Sequence, residues 1–193
     1  MIHAGLSTVN PVTHTRTTVL EANAETQGAG WLLELHSPPK AAPELPEHIH
    51  FNLTETFEML AGQASYVLDG VAHTTQAGET FVFPARVRHL HPWNTGDTEL
   101  VYRQRGQYDQ PNLQMVEDIL GLRPTQAGLA RDGKNTGGLA SGLQRIVTAK
   151  LLARWGTSLT RPPLPVQKVL FATVGALAEA LGYRAVHLEY EHQ

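Results

Sequence analysis

Residues 46–62 read Pro46-Glu-His-Ile-His-Phe-Asn-Leu-Thr-Glu-Thr-Phe-Glu-Met-Leu-Ala-Gly62. His48 and His50 are two apart. On a strand, residues i and i+2 share a face, so the two imidazoles converge on one point. Glu55 comes after four intervening residues, with the opposite parity, and a turn or bulge at Asn52-Leu53-Thr54 is needed to bring it to the same side. A carboxylate beside two imidazoles suits a divalent first-row metal. Phe57 and Met59 alternate with Glu58, which places Glu58 outward in solvent. Residues 78–94 read Gly78-Glu-Thr-Phe-Val-Phe-Pro-Ala-Arg-Val-Arg-His-Leu-His-Pro-Trp-Asn94. Pro84 ends a strand, and His89 and His91 share a face of the next run. If that run pairs near the first segment, it supplies a third imidazole, and spacing leaves open whether His89 or His91 provides it.

The surrounding sequence is written in strand grammar up to Tyr108. Residues 9–20, 31–36, 55–61, 64–68, 71–75, 79–83 and 99–105 are short runs rich in β-branched, aromatic and aliphatic residues, separated by turn formers. Asp69-Gly70 between two of them is a hairpin signal, because both residues tolerate positive φ. About eight strands are expected, a number suited to a sandwich or barrel. After Tyr108 the period changes to that of helices, over about 113–122, 143–155 and 166–181. In the last, Val166, Val169, Leu170, Thr173, Val174, Leu177, Ala178 and Leu181 form one continuous apolar face. Residues 131–141 read as a Gly-rich polar loop. Asn135-Thr-Gly-Gly138 within it lacks the strand–loop–helix context of a phosphate loop and reads as a linker.

Composition removes several function classes. The 193 residues carry 15 basic and 18 acidic side chains, a formal charge of −3. A surface built to neutralise nucleic-acid phosphates is not expected from that balance. There is no Cys, so thiol nucleophiles, zinc fingers and iron–sulfur clusters are excluded, and any metal must be held by the ten His and by carboxylates. The longest strongly apolar uncharged run, 169–178, is too short to span a bilayer. Residues 1–10 lack the features of a signal peptide. A cytoplasmic protein is the resulting expectation.

The two His-bearing segments resemble the paired motifs of the cupin superfamily. The first has the form His48-x-His50, four residues, Glu55, six residues, Gly62, with Phe57-Glu-Met-Leu-Ala-Gly62 as its ending. The second has Gly78, five residues, Pro84, four residues, His89. Three positions depart from the pattern: Ala42 stands where a leading Gly falls, Arg86 replaces the Gly after Pro84, and Asn94 lies one residue late. The resemblance covers about the first half of the chain. It implies a mainly β fold, a double-stranded β-helix (jelly-roll) barrel over 1–108, followed by a helical C-terminal extension over 109–193. It implies metal ligation by His48, His50, Glu55 and His89, with one divalent ion of Fe, Mn, Ni or Zn.

From these readings follow several expectations. His91, Trp93, Phe57 and Met59 are placed in the pocket or just behind the ligands, and Glu55 doubles as a proton acceptor if it loosens from the metal. With Arg86 in place of Gly, either the turn differs from the motif's or Arg86 sits where a negative φ suffices. The helical extension packs on the outer face of the barrel or across a homodimer interface, since short amphipathic helices are marginal alone. The barrel interior is expected to take a small organic molecule, with dioxygenase-like chemistry favoured and a non-catalytic binding or sensor role, or a metal-dependent isomerase, as alternatives.

Overall fold

The computed structural model of the chain describes residues 1–135 and 142–191. Two antiparallel sheets face each other. One has six strands in the order β1-β2-β3-β10-β5-β8 and the other five in the order β11-β4-β9-β6-β7. In chain order these are β1 (Ser7–Val9), β2 (Arg16–Glu21), β3 (Gly30–Ser37), β4 (His48–His50), β5 (Leu53–Ala61), β6 (Gln63–Leu68), β7 (Val71–Gln76), β8 (Thr80–Phe83), β9 (His89–Asn94), β10 (Leu100–Tyr108) and β11 (Thr157–Leu159). The two sheets with their crossovers make the double-stranded β-helix barrel expected from the sequence. The Asp69-Gly70 hairpin forms between β6 and β7 with both residues at positive φ (49° and 80°).

The interior between the sheets follows strand parity. On β5, Leu53, Glu55, Phe57 and Met59 are buried while Glu58 is exposed, and on β10 Leu100, Tyr102, Gln104, Gly106 and Tyr108 point inward. Phe57, Phe81, Phe83 and Tyr66 form an aromatic cluster, with Tyr66 and Phe81 stacked at 4.1 Å and Phe57 and Phe81 at 5.1 Å. This packed floor is apolar and dry, and it fixes the strands that carry the polar residues above it. Gly106 is required by a close approach. A Cβ there would lie 2.4 Å from the Trp31 indole, which is buried against the bare backbone of β10.

A short helix α1 (Asn23–Thr26) lies between β2 and β3, and beyond β10 come α2 (Leu113–Arg131), α3 (Gly142–Arg154), α4 (Leu164–Leu170) and α5 (Ala176–Ala180), with a π-helical turn (Phe171–Gly175) joining the last two. Asn112 caps α2 by accepting from the Met115 N–H at 3.0 Å. Trp155 Nε1 donates to Asp118 at 2.8 Å and ties the end of α3 to α2. Residues 136–141, including all but Asn135 of the Asn135–Gly138 segment read as a linker, lie outside the described residues. So does His192.

Two features depart from the sequence reading. First, the segment after Tyr108 is not purely helical. Residues Thr157–Leu159 return as strand β11 and pair with β4, Thr157 opposite His50 and Leu159 opposite His48. Second, the apolar face of 166–181 is not buried within the chain. Val166, Val169, Leu177 and Leu181 are exposed, whereas Gln167, Gly175 and Ala178 are buried. The helix is rotated by a polar anchor. Gln167 Nε2 donates to the Leu159 and Pro162 carbonyls at 2.8 and 2.6 Å, and its Oε1 accepts from the Ser158 hydroxyl at 3.2 Å. Small Gly175 then lets the segment approach α3, where a Cβ would meet Lys150 at 3.2 Å.

Candidate metal centre

β4 and β9 are neighbours in the five-stranded sheet, with His48 directly opposite His89. This pairing brings the two His-x-His segments together. Glu55 arrives from the other sheet. Between His50 and Leu53 the chain crosses from one sheet to the other, so the unfavourable parity between His50 and Glu55 is cancelled by the corner at Phe51-Asn52. The result is a buried group of His48, His50, Glu55, His89 and His91 whose ligand atoms all lie within 4.8 Å of one another. Donors at ~2.0–2.2 Å from one ion are at most ~4.4 Å apart, so the group is close to the spacing a metal would impose.

The hydrogen bonds define which atoms face inward. His48 Nδ1 is 2.8 Å from the Pro46 carbonyl and His89 Nδ1 is 2.9 Å from the Val87 carbonyl. A carbonyl only accepts, so each Nδ1 carries the proton and, in the neutral ring, each Nε2 presents its lone pair. His50 Nδ1 is held 2.8 Å from the Thr157 hydroxyl of β11. The Nε2 atoms of His50 and His89 are buried with no hydrogen-bond partner. They lie 3.2 and 3.4 Å from Glu55 Oε2. Buried polar atoms left in this way are uncommon and costly. A cation between the three atoms would satisfy all of them, and outer partners on Nδ1 are the usual support of metal-ligating histidines.

Glu55 is held from both sides. Gln104 Nε2 donates to Oε1 at 2.8 Å, and His91 Nε2 approaches Oε2 at 2.9 Å. Burial alone would raise this carboxyl, but the surrounding imidazoles, His91 and His50 first, reverse the effect and hold it well below the usual carboxylate range. Burial, then the neighbouring rings of His91, His50 and His89, hold the His48 imidazole well below its ordinary value, which keeps it neutral as ligation requires. Burial also lowers His91. His91 stacks on His89 with ring centres 5.4 Å apart.

The remaining expected residues fall elsewhere. Phe57 and Met59 are fully buried in the core; Phe57 lies behind His91 at 5.5 Å between ring centres, and neither lines the cavity above the His/Glu group. Trp93, expected at that pocket, lines a smaller neighbouring cavity with Glu44, Tyr102 and Arg123. Asn94 is structural: its amide donates to the carbonyls of Ser37, Pro38 and Thr98 at 2.8–3.1 Å. Arg86 has φ +68°, the left-handed conformation a Gly would favour, so of the two alternatives the negative φ is ruled out.

The cavity above the His/Glu group has a volume of about 110 Å³. That is room for roughly four waters, or a small organic molecule of similar bulk. His48, His50, Glu55, His91 and Gln104 form its floor, Trp31, Leu33, Leu53 and Tyr108 its barrel wall, and residues of α2, α3 and β11 its roof. The extension therefore closes the mouth of the barrel rather than lying only on its outside. Gln104 and Thr157 were not singled out by sequence reasoning. Gln104 carried a signal, as a polar residue in the inward series of β10, whereas Thr157 carried none.

Among known proteins, residues 35–102 match the family model described as a cupin domain. Residues 35–102, within the barrel, are a cupin domain. No curated protein matches the chain. Similar solved structures include a predicted oxalate decarboxylase of Thermotoga maritima, 18% identical, covering 49% of this chain and 80% of its own, with a TM-score of 0.45. A cupin domain of an XRE family transcriptional regulator from Enterobacter cloacae is 15% identical over 50% of this chain and 98% of its own, TM-score 0.43. KdgF from a Halomonas species is 14% identical over 48% and 78%, TM-score 0.40.

Proposed function

We propose that this cupin binds one divalent transition-metal ion through His48, His50, Glu55 and His89, and uses it on a small organic molecule held in the roofed cavity. The observation that carries the reading is the pair of buried, partnerless Nε2 atoms of His50 and His89 facing Glu55 Oε2. His91 then acts beside the metal, from its contact with Glu55 and its place in the cavity floor. A bound ion of this kind supplies Lewis acidity and, for Fe, Mn or Ni, redox capacity. The chain itself positions Glu55 through Gln104, shields the site under α2 and α3, and offers Glu55 and His91 as nearby groups able to hold a proton. Four protein ligands leave two positions at an octahedral ion, which favours dioxygenase-like chemistry over a purely anchoring role.

The test is elemental analysis of the purified chain, followed by oxygen uptake with Fe(II)-, Mn(II)- and Ni(II)-loaded protein over phenols, diketones and thiol-carboxylates. One metal per chain with metal-dependent uptake supports the reading. Metal-dependent thermal stabilisation by a compound that is never consumed would replace it with a binding or sensor role. The same proposal includes a cytoplasmic homodimer, supported by the exposed apolar row Val166, Val169, Leu177 and Leu181, and sedimentation of the full chain tests the oligomer. Among the described residues no helix is long and apolar enough to cross a membrane.

A further inference from the structure

The roof of the cavity is not merely a cover. On α2, Ile119, Leu122, Arg123 and Gln126 follow helical spacing and face the cavity, and on α3 Thr148 and Leu152 do the same. Three of these six are polar. Thr148 is 7% exposed, and its buried hydroxyl has no hydrogen-bond partner. Gln126 is 6% exposed and lines the same cavity. Arg123 meets Glu44 through Nη1, and 21% of its side chain remains open. A buried hydroxyl without a partner costs stability unless something completes it. These three lie in one roof, across the cavity from the His/Glu floor.

The charges within this enclosure set the sign of what fits. Arg123 is positive, Glu44 and Glu55 are negative, and the imidazoles serve as neutral ligands. With a divalent ion on the floor, one positive charge is left in excess. A single carboxylate cancels it. Without the ion the excess is negative and an anion is repelled. The walls between the two polar ends are apolar, built from Trp31, Leu33, Leu53, Leu120, Leu152 and Leu159.

We infer that the cavity receives a small monocarboxylic acid with an apolar body, its carboxylate held by Arg123, Gln126 and Thr148 at the helical end and its other end facing the His/Glu cluster. This rests on the metal reading above, because the metal supplies the charge that the carboxylate balances. The specificity for the acid would then come from the C-terminal extension, outside the stretch that matches the cupin family model. Arg suits this task because its planar fork keeps donors available after Nη1 is engaged.

The experiment is calorimetric titration of the full chain loaded with Zn(II), which is redox-inert, so no ligand is consumed. Benzoate, phenylacetate and hexanoate are compared with benzamide, phenylacetamide and hexanamide, and metal content is measured on the same samples. At least one acid is expected to bind on the order of tenfold tighter than its amide, the loss that follows from removing hydrogen bonds to a charged group. That preference should vanish in metal-free protein. Gln126→Leu and Thr148→Val should each weaken acid binding several-fold with metal stoichiometry unchanged. The double variant Glu44→Gln/Arg123→Gln keeps the net charge and avoids an unpaired buried ion, and should abolish the acid-over-amide preference. One metal per chain with acids and amides binding alike, or neither binding, overturns the inference and leaves the metal reading standing. Absence of metal uptake overturns both, and the elemental analysis identifies that case.

Discussion

Thr157→Val puts the link between the C-terminal extension and the metal centre to the test. Valine preserves the shape of threonine and its β-strand preference, so β11 should still pair with β4. What is lost is the hydroxyl 2.8 Å from His50 Nδ1. His50 is 6% exposed, so no bulk water replaces it easily. Two costs follow. In the metal-free protein a buried donor loses its partner, worth about 1–3 kcal/mol. In the metal-bound protein the imidazole loses the group that fixes its tautomer and ring orientation, which typically lowers metal affinity about 10–100-fold, or ~1.4–2.8 kcal/mol. Competition with a coloured chelator at neutral pH measures the affinity, and melting of the metal-free protein measures the first cost separately. Thr157→Ser restores the hydroxyl and should restore the affinity. Because ligand-linked stabilisation depends on the dissociation constant, the metal-induced rise in Tm should shrink in the Val variant and return in the Ser variant. A folded Thr157→Val protein with unchanged metal affinity would refute the role given to β11.

Other outcomes follow from the same geometry. His48→Ala and His89→Ala should each lose stoichiometric metal by elemental analysis, while His91→Ala should retain it, since the partnerless Nε2 belongs to His89 and that of His91 is engaged with Glu55. Burial alone would raise the Glu44 carboxyl, but the Arg123 guanidinium outweighs it and holds it below its ordinary value. Its contribution to stability is therefore present above the usual carboxylate range and is lost as pH falls through that range towards the folded-state value. The stability gap between wild type and Glu44→Gln/Arg123→Gln, read by urea titration, should narrow as the pH is lowered across that window. Arg86→Gly should be neutral to about 1 kcal/mol stabilising in thermal melts. The left-handed conformation costs a non-glycine residue about 1–2 kcal/mol, while glycine adds about 0.5–1 kcal/mol of chain entropy to be lost. A chain ending at Tyr108 loses the cavity roof and the partner strand of β4, and should be less soluble and bind metal more weakly in the chelator assay.

The barrel and the identity of the clustered side chains were legible in the sequence because both rest on local periodicity. Alternation over β5 sorted Phe57 and Met59 from Glu58, and the two His-x-His spacings placed imidazoles in pairs on one face. Asp69-Gly70 announced its hairpin by the same kind of short-range rule. Parity along a continuous strand, in contrast, placed Glu55 on the wrong side. Only the crossing from one sheet to the other at Phe51-Asn52 brings Glu55 back to His50, and a change of sheet leaves no mark in an alternation pattern.

What lay outside the reach of sequence is everything that depends on distant segments meeting. Thr157 is 107 residues from His50 and ordinary in its own context, and its contact exists only because β11 adds to the edge of β4. Arg123 and Gln126 lie beyond the helix expected over 113–122, and they share a cavity with Thr148 only because α2 and α3 fold over the barrel mouth. The stripe from Val166 to Leu181 shows the converse. Its periodicity was plain, yet the face that turns inward is the one carrying Gln167, which makes three hydrogen bonds to Ser158, Leu159 and Pro162. Local spacing thus determined which strands and helices form and which histidines pair. The packing of the two sheets, and of the extension upon them, determined which atoms face one another, since hydrogen bonding and charge act through space without regard to separation along the chain.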